Sequence, residues 1–197
     1  MSAIKIKEVA LELFATKGYE NTTMREIGAL VGIKASSIYS HYISKDELFE
    51  QVVQDLINKI KWENIDINKI KASITVVDLK TLLFNVFSGY YNFFANNKLE
   101  LLLWLRLRNL SPNMSNIQAN VLNLSYGRPV LEVYIELFLY GINHKQIRNS
   151  SIHMLVMSFF AFISGYTDSL RIMPNPITTE QLTEAFEIYW DGIRYKE

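Results

Sequence analysis

Apolar residues return every three to four positions along nearly the whole of this 197-residue chain, and they never alternate for long with polar ones. A repeat of 3.6 belongs to helices and a repeat of two to strands, and the Val/Ile/Thr alternation and Asn-Gly turns of a sheet are missing, so the chain is read as all-α. The first helix, about Ala3 to Thr16, has Ile6, Val9, Ala10, Leu13 and Phe14 on one face, and Gly18 stands where a left-handed residue ends a helix. Thr23 and Glu26 have capping-box spacing and open a second helix, whose buried side is read as Ile27, Leu30 and Val31 and which stops at Gly32.

A third short helix is expected at about Ala35 to Tyr42. Ser44 and Glu47 then form another capping box before a longer fourth helix with Leu48, Phe49, Val52, Val53, Leu56, Ile57 and Ile60 on its face. Patterning fades in Asn64 to Val77, which is read as a connecting segment. Beyond it, Asp78 to Asn96 shows a broad apolar face, and Leu99 to Leu107 is apolar almost all round, as for a helix in the middle of a bundle. A helical region from about Asn113 to Ile142 should kink or break at Gly127-Arg-Pro129, because proline cannot donate its amide. Met154 to Leu170 and Thr179 to Arg194 complete the series.

Composition narrows the function. The absence of cysteine removes disulfides, thiol nucleophiles and cysteine-ligated metals, and fits a cytoplasmic, reducing setting. No metal site or cofactor is expected. The apolar heart of the stretch Asn149 to Thr167 is only about ten residues, short of the roughly 20 that a membrane span needs, and charges interrupt Ile4 to Leu13 where a signal peptide would have its apolar core. Formal charge is zero, with 20 Lys plus Arg against 20 Asp plus Glu, yet the ends differ. Residues 1–45 carry a net +2 and residues 172–197 a net −3, so neutrality is a cancellation that leaves a mildly basic amino-terminal part.

Two short helices joined by a glycine turn, the second rich in small polar groups, form a helix-turn-helix arrangement in which the second helix can enter a major groove. Within residues 32–42, Ile38 is the inward anchor, leaving Lys34, Ser36, Ser37, Tyr39, Ser40 and His41 on other faces. Hydroxyls and a cation suit base edges and phosphates. Tyr42 is read as a core aromatic.

These residues resemble the tetracycline-repressor (TetR) family of bacterial one-component regulators. The likeness is carried by Ala10, Leu13-Phe14, Gly18-Tyr19, Thr22-Thr23 and Ile27, then Gly32-Ile33, Ile38-Tyr39, His41-Tyr42, and Ser44-Lys45 with Glu47-Leu48-Phe49. It spans about 45 residues. The resemblance implies a three-helix DNA-binding domain over 1–46, followed by a helical effector-binding and dimerisation domain over 47–197. It implies that Thr23, Tyr39, His41 and Lys45 hold DNA phosphates, while Lys34, Ala35, Ser36 and Ser37 lie at base edges. Lys45 at a helix start is otherwise unfavourable, and a phosphate there would explain it. The chain departs from the family pattern at Lys34, where a Ser or Thr cap is usual, at Ser36 in place of Gly, and at Gly28 in place of Ala.

A regulator of this kind implies double-stranded DNA with an inverted repeat, a homodimer, and a small effector. Phe87, Tyr90, Tyr91, Phe94, Trp104, Tyr134, Phe138 and His153 are the candidates to line an effector pocket for a mostly apolar or aromatic ligand, although aromatics at helical spacing are also what a core requires. Leu155, Phe159, Phe162, Phe186, Tyr189 and Trp190 are the candidates for a two-fold four-helix interface, because the last two helices carry more apolar residues than one face needs. Two rivals stay open. One keeps the fold but regulates through a protein partner or DNA alone. The other is a small helical enzyme, for which no Ser-His-Asp order, acidic pair or phosphate loop speaks.

Overall fold

The computed structural model describes residues 3–60, 78–107, 128–173 and 175–196. Helices found there are α1 (Ala3–Thr16), α2 (Met24–Val31), α3 (Ala35–Ile38), α4 (Lys45–Ile60), α5 (Leu79–Asn96), α6 (Lys98–Leu107), α7 (Arg128–Asn143), α8 (Ile152–Ser169) and α9 (Thr179–Ile193). Among the described residues there is no named strand, so the all-α expectation holds. The connecting segment read at Asn64–Val77 and most of the region expected to kink before Pro129 lie outside the described residues; the described part of that region begins as a helix at Arg128.

Two compact units emerge. One contains the described residues within Met1–Lys59 and Asn97–Ser125, the other those within Ile60–Asn96 and Tyr126–Glu197. The first unit therefore takes in most of α4 and also α6, whereas the sequence reading placed a boundary at residue 46 and put α6 in the middle of the later bundle. The chemistry of α6 explains its place. Glu100, nearly buried, pairs with Lys59 of α4 at 2.9 Å, and Arg106 donates to the carbonyls of Ala15 and Thr16 at the end of α1.

The core of the first unit is built from the faces read in the sequence. Ile6, Val9, Ala10, Leu13 and Phe14 of α1 are buried, and so are Leu48, Phe49, Val52, Val53, Leu56 and Ile57 of α4. Leu30 departs from expectation at 59% exposed. At 100° per residue it lies about 110° from the centre of the face formed by Met24, Ile27, Gly28 and Val31. Those four are the buried residues of α2.

In the second unit, α5, α7, α8 and α9 enclose a core that includes Leu83, Phe87, Tyr91, Tyr134, Phe138, Leu155, Phe159 and Phe186. The carboxyl end of α9 is fastened to the turn after α7: Ile147 and Arg194 form an antiparallel bridge, with Arg148 N–H donating to Ile193 O at 2.8 Å and Tyr195 N–H to Gln146 O at 3.0 Å. Gln146 also reaches back to accept from the Leu79 amide at the start of α5. Thr178 and Gln181 close a reciprocal capping box that opens α9.

Candidate nucleic-acid interface

The helix-turn-helix is built by two glycines. Gly32 ends α2 at φ +84°, a left-handed conformation that a side chain disfavours, and its amide and that of Ile33 both donate to Gly28 O at 2.9 Å. Gly28 allows the turn to close. A Cβ there would stand 2.9 Å from Ile33 O and 3.3 Å from Ala35 N, so the loop folds onto bare backbone. Gly28 thus answers one departure from the family pattern with local geometry.

α3 is a single α-helical turn, Ala35–Ile38, shorter than the expected Ala35–Tyr42. The chain continues in turns, with the His41 and Tyr42 amides both donating to Ile38 O at 2.8 and 3.0 Å. Lys34 at its N-cap gives no side-chain hydrogen bond, as its side chain has no acceptor to offer. Ile38 is fully buried, as read, and Tyr42 is buried with its hydroxyl donating to Ala3 O at 3.2 Å.

Thr23, Lys34, Ser36, Ser37, Tyr39 and His41 are exposed together on this segment, and Ala35 is half-buried. The Thr23 hydroxyl oxygen accepts from Glu26 N–H at 3.2 Å, leaving its own proton for an outside acceptor. The return half of that capping box is absent because the Glu26 carboxylate pairs with Lys17. At Ser44 the box is offset: Ser44 Oγ accepts from Glu47 N–H at 3.1 Å, while the Glu47 carboxylate accepts from Ile43 N–H at 2.6 Å.

Lys45 has partners within the chain. Its ammonium donates to Tyr19 O at 2.9 Å and Thr22 O at 3.0 Å and stands 4.0 Å from the Tyr19 ring centroid. These partners favour a cation at the start of α4. The Tyr19 phenol in turn donates to Asp46, and burial together with that carboxylate holds it protonated well above its usual range. Sequence spacing could not show this network, since its partners lie 23 and 26 residues apart. It also missed Ile43, which at 84% exposed stands bare beside the polar set.

The other candidates separate. Phe87, Tyr91, Phe94, Tyr134 and Phe138 are buried and Tyr90 half-buried in the second unit, whereas Trp104 is buried in the first and His153 is exposed in the first turn of α8. The Tyr91 hydroxyl accepts from Ile177 N–H at 2.9 Å. Of the interface candidates, Leu155, Phe159, Phe186 and Trp190 are buried inside the chain itself, and Phe162 and Tyr189 are half-buried and stacked on one another at 4.7 Å. The first four belong to the core, and Phe162 and Tyr189 pack against it. The apolar surface of these helices is instead Met154, Met157 (56% exposed) and Ile188 (71% exposed). Both helices are apolar on more than one side, and periodicity alone does not say which side a neighbour covers.

Exposed polar residues on a glycine-turned helix pair, in a chain whose other described elements are helices, define a helix-turn-helix transcription regulator. Residues 6–52 match the family model described as bacterial regulatory proteins, tetR family. The chain is 30% identical over 138 residues to the biofilm operon icaADBC HTH-type negative transcriptional regulator IcaR of Staphylococcus aureus (strain Newman), covering 67% of this chain and 69% of that protein. It is 41% identical to the regulator of the same name from Staphylococcus epidermidis over 54 residues, 27% of this chain and 29% of that one. The chain belongs to the TetR family. Similar solved folds include the ketosteroid transcriptional regulator KstR2 of Mycobacterium tuberculosis (TM-score 0.73, 19% identity, 100% of this chain and 97% of that one) and FadR from Bacillus subtilis in complex with stearoyl-CoA (TM-score 0.74, 16% identity, 98% and 100%). Among the described residues, no helix is long and apolar enough to cross a membrane.

Proposed function

We propose that the chain is a cytoplasmic homodimeric repressor that binds an inverted-repeat operator, with Thr23, Tyr39, His41 and Lys45 on phosphates and Lys34, Ala35, Ser36 and Ser37 at base edges. The observation that carries this is the joint exposure of these groups, half-buried Ala35 and Lys45 apart, around a buried Ile38. Repression follows the similarity to IcaR, which is named a negative regulator. No enzymatic role is proposed.

We place dimerisation on α8 and α9, now through Met154, Met157 and Ile188. The effector is a small, mostly apolar or aromatic molecule held in the second unit among Phe87, Tyr90, Tyr91, Phe94, Tyr134 and Phe138, a reading supported by FadR having been solved with stearoyl-CoA. An effector that binds better when the two recognition helices are wrongly spaced lowers DNA affinity by the same factor that DNA lowers effector affinity. One observation favours regulation without a small ligand: five of those six aromatics are already buried in the chain's own core. A thermal-shift screen of acyl and aromatic compounds, followed by operator release in a gel shift, decides between the two. A compound that raises the melting temperature and releases DNA supports the effector; stabilisation by DNA alone supports the alternative.

A further inference from the structure

We infer that a groove in the first unit binds a small organic cation, an ammonium group on a short apolar body, with Glu100 as its counter-ion. The groove has a volume of about 300 Å³ and lies between α1, α4 and α6. All of its lining belongs to the first unit, apart from the aromatic core proposed for the effector. That volume is at the small end of the range for ligand pockets, which suits a small molecule better than a partner's helix.

Two helical stripes make the groove. Ile4 and Leu11 of α1 and Val52 and Leu56 of α4 supply apolar walls. Lys7 follows Ile4 by three residues and Lys59 follows Leu56 by three, so each stripe carries charge on the same face as its apolar groups. An ion pair between Lys7 and Asp55 ties one stripe to the other. Glu100 adds a wall from α6.

Charge decides the sign of the ligand. Two lysines meet three carboxylates in the lining, a net charge of −1, and Glu100 is the most buried of the five, with its side chain 11% exposed. Among the described residues its side-chain partner is Lys59, at 2.9 Å and 55% exposed. A buried carboxylate needs a cation beside it, whereas an exposed ammonium loses little by returning to water. An incoming ammonium can therefore take the place of Lys59. An incoming anion would instead have to displace Glu100 or the Asp55 that holds Lys7. The ligand's apolar body then covers Leu11, Val52 and Leu56, a gain that the lysine it replaces does not bring.

The test uses the full chain with hexylammonium chloride as probe, and hexanol and sodium hexanoate as neutral and anionic controls at matched ionic strength. Lys59→Met leaves the Glu100 carboxylate without its cation and is expected to lower the melting temperature. Hexylammonium should restore at least half of that loss, and by calorimetry should bind Lys59→Met about 10-fold more tightly than the wild type. Neither control should do so, and the rescue should vanish in Lys59→Met combined with Glu100→Gln. Equal rescue by hexanol or hexanoate overturns the inference, as does rescue that survives Glu100→Gln or the absence of saturable binding to either chain. Should Lys59→Met fail to fold, the wild type carries the test alone. Hexylammonium is expected to shift the methyl resonances of Leu11, Val52 and Leu56 in a saturable way that hexanoate does not reproduce; no saturable shift, or the same shift with both, overturns the inference.

Discussion

Arg106 donates from Nε to the carbonyl of Ala15 at 2.8 Å, closing the carboxyl end of α1 from a helix 91 residues further along the chain. Its Nη2 donates to Thr16 O at 2.6 Å, so one guanidinium satisfies two carbonyls that α1 itself leaves free. The positive charge also lies at the negative end of the helix dipole. Arg106→Met is expected to lower the unfolding free energy by about 2 kcal/mol, seen as a lower denaturant midpoint. Arg106→Lys should recover only part, because a point charge does not reproduce the two-pronged geometry.

Of the two glycines that build the helix-turn-helix, Gly28 is the one that leaves no room for a Cβ. Gly28→Ala, a change toward the family's usual residue, is expected to destabilise the chain by about 1–3 kcal/mol and to weaken DNA binding, because the new methyl meets Ile33 O and not a flexible side chain. Thermal unfolding and a gel shift check both effects. An alanine variant as stable as the wild type would contradict the close approach.

At Lys34 stability and binding should move in opposite directions. Lys34→Ser supplies the missing cap to α3 and is expected to stabilise by about 0.5–1 kcal/mol, while operator affinity falls. Denaturant unfolding and anisotropy on the same preparation measure the pair of signs.

For the dimer, the exposed set makes a sharper prediction than the residues first read from spacing. Met157→Glu combined with Ile188→Glu is expected to give a folded, helical monomer in sedimentation at micromolar concentration, with operator binding lost. Phe159→Ala should instead destabilise the chain by about 3–5 kcal/mol, as a buried aromatic does. A dimer that survives both surface charges would move the interface elsewhere.

What the sequence disclosed was what depends on near neighbours. The faces of α1 and α4, the burial of Ile38 and Tyr42, the left-handed position at Gly18 and the helix stop at Gly32 all follow from spacing and backbone freedom within a few residues. What it concealed depends on distant elements. Spacing shows that Leu155 and Met154 lie on different sides of α8, but not that the core covers the first and leaves the second exposed. Likewise Lys45 looked like an unexplained charge at a helix start until Tyr19 and Thr22 were seen beside it, and Arg106 looked like an interruption in an apolar helix. Leu30 was misplaced because the buried face of α2 is centred on Met24, Ile27, Gly28 and Val31, and Gly28 carries no apolar side chain to mark it.

The central claim is that this chain reads duplex DNA as a two-fold dimer through the exposed segment around Ile38. Selection from a random duplex pool, with the full chain as bait, tests it most directly. An enriched inverted repeat, bound by the wild type and lost when Ser36 and Ser37 are replaced, is the predicted result; enrichment of no site, or of one without two-fold symmetry, would contradict it.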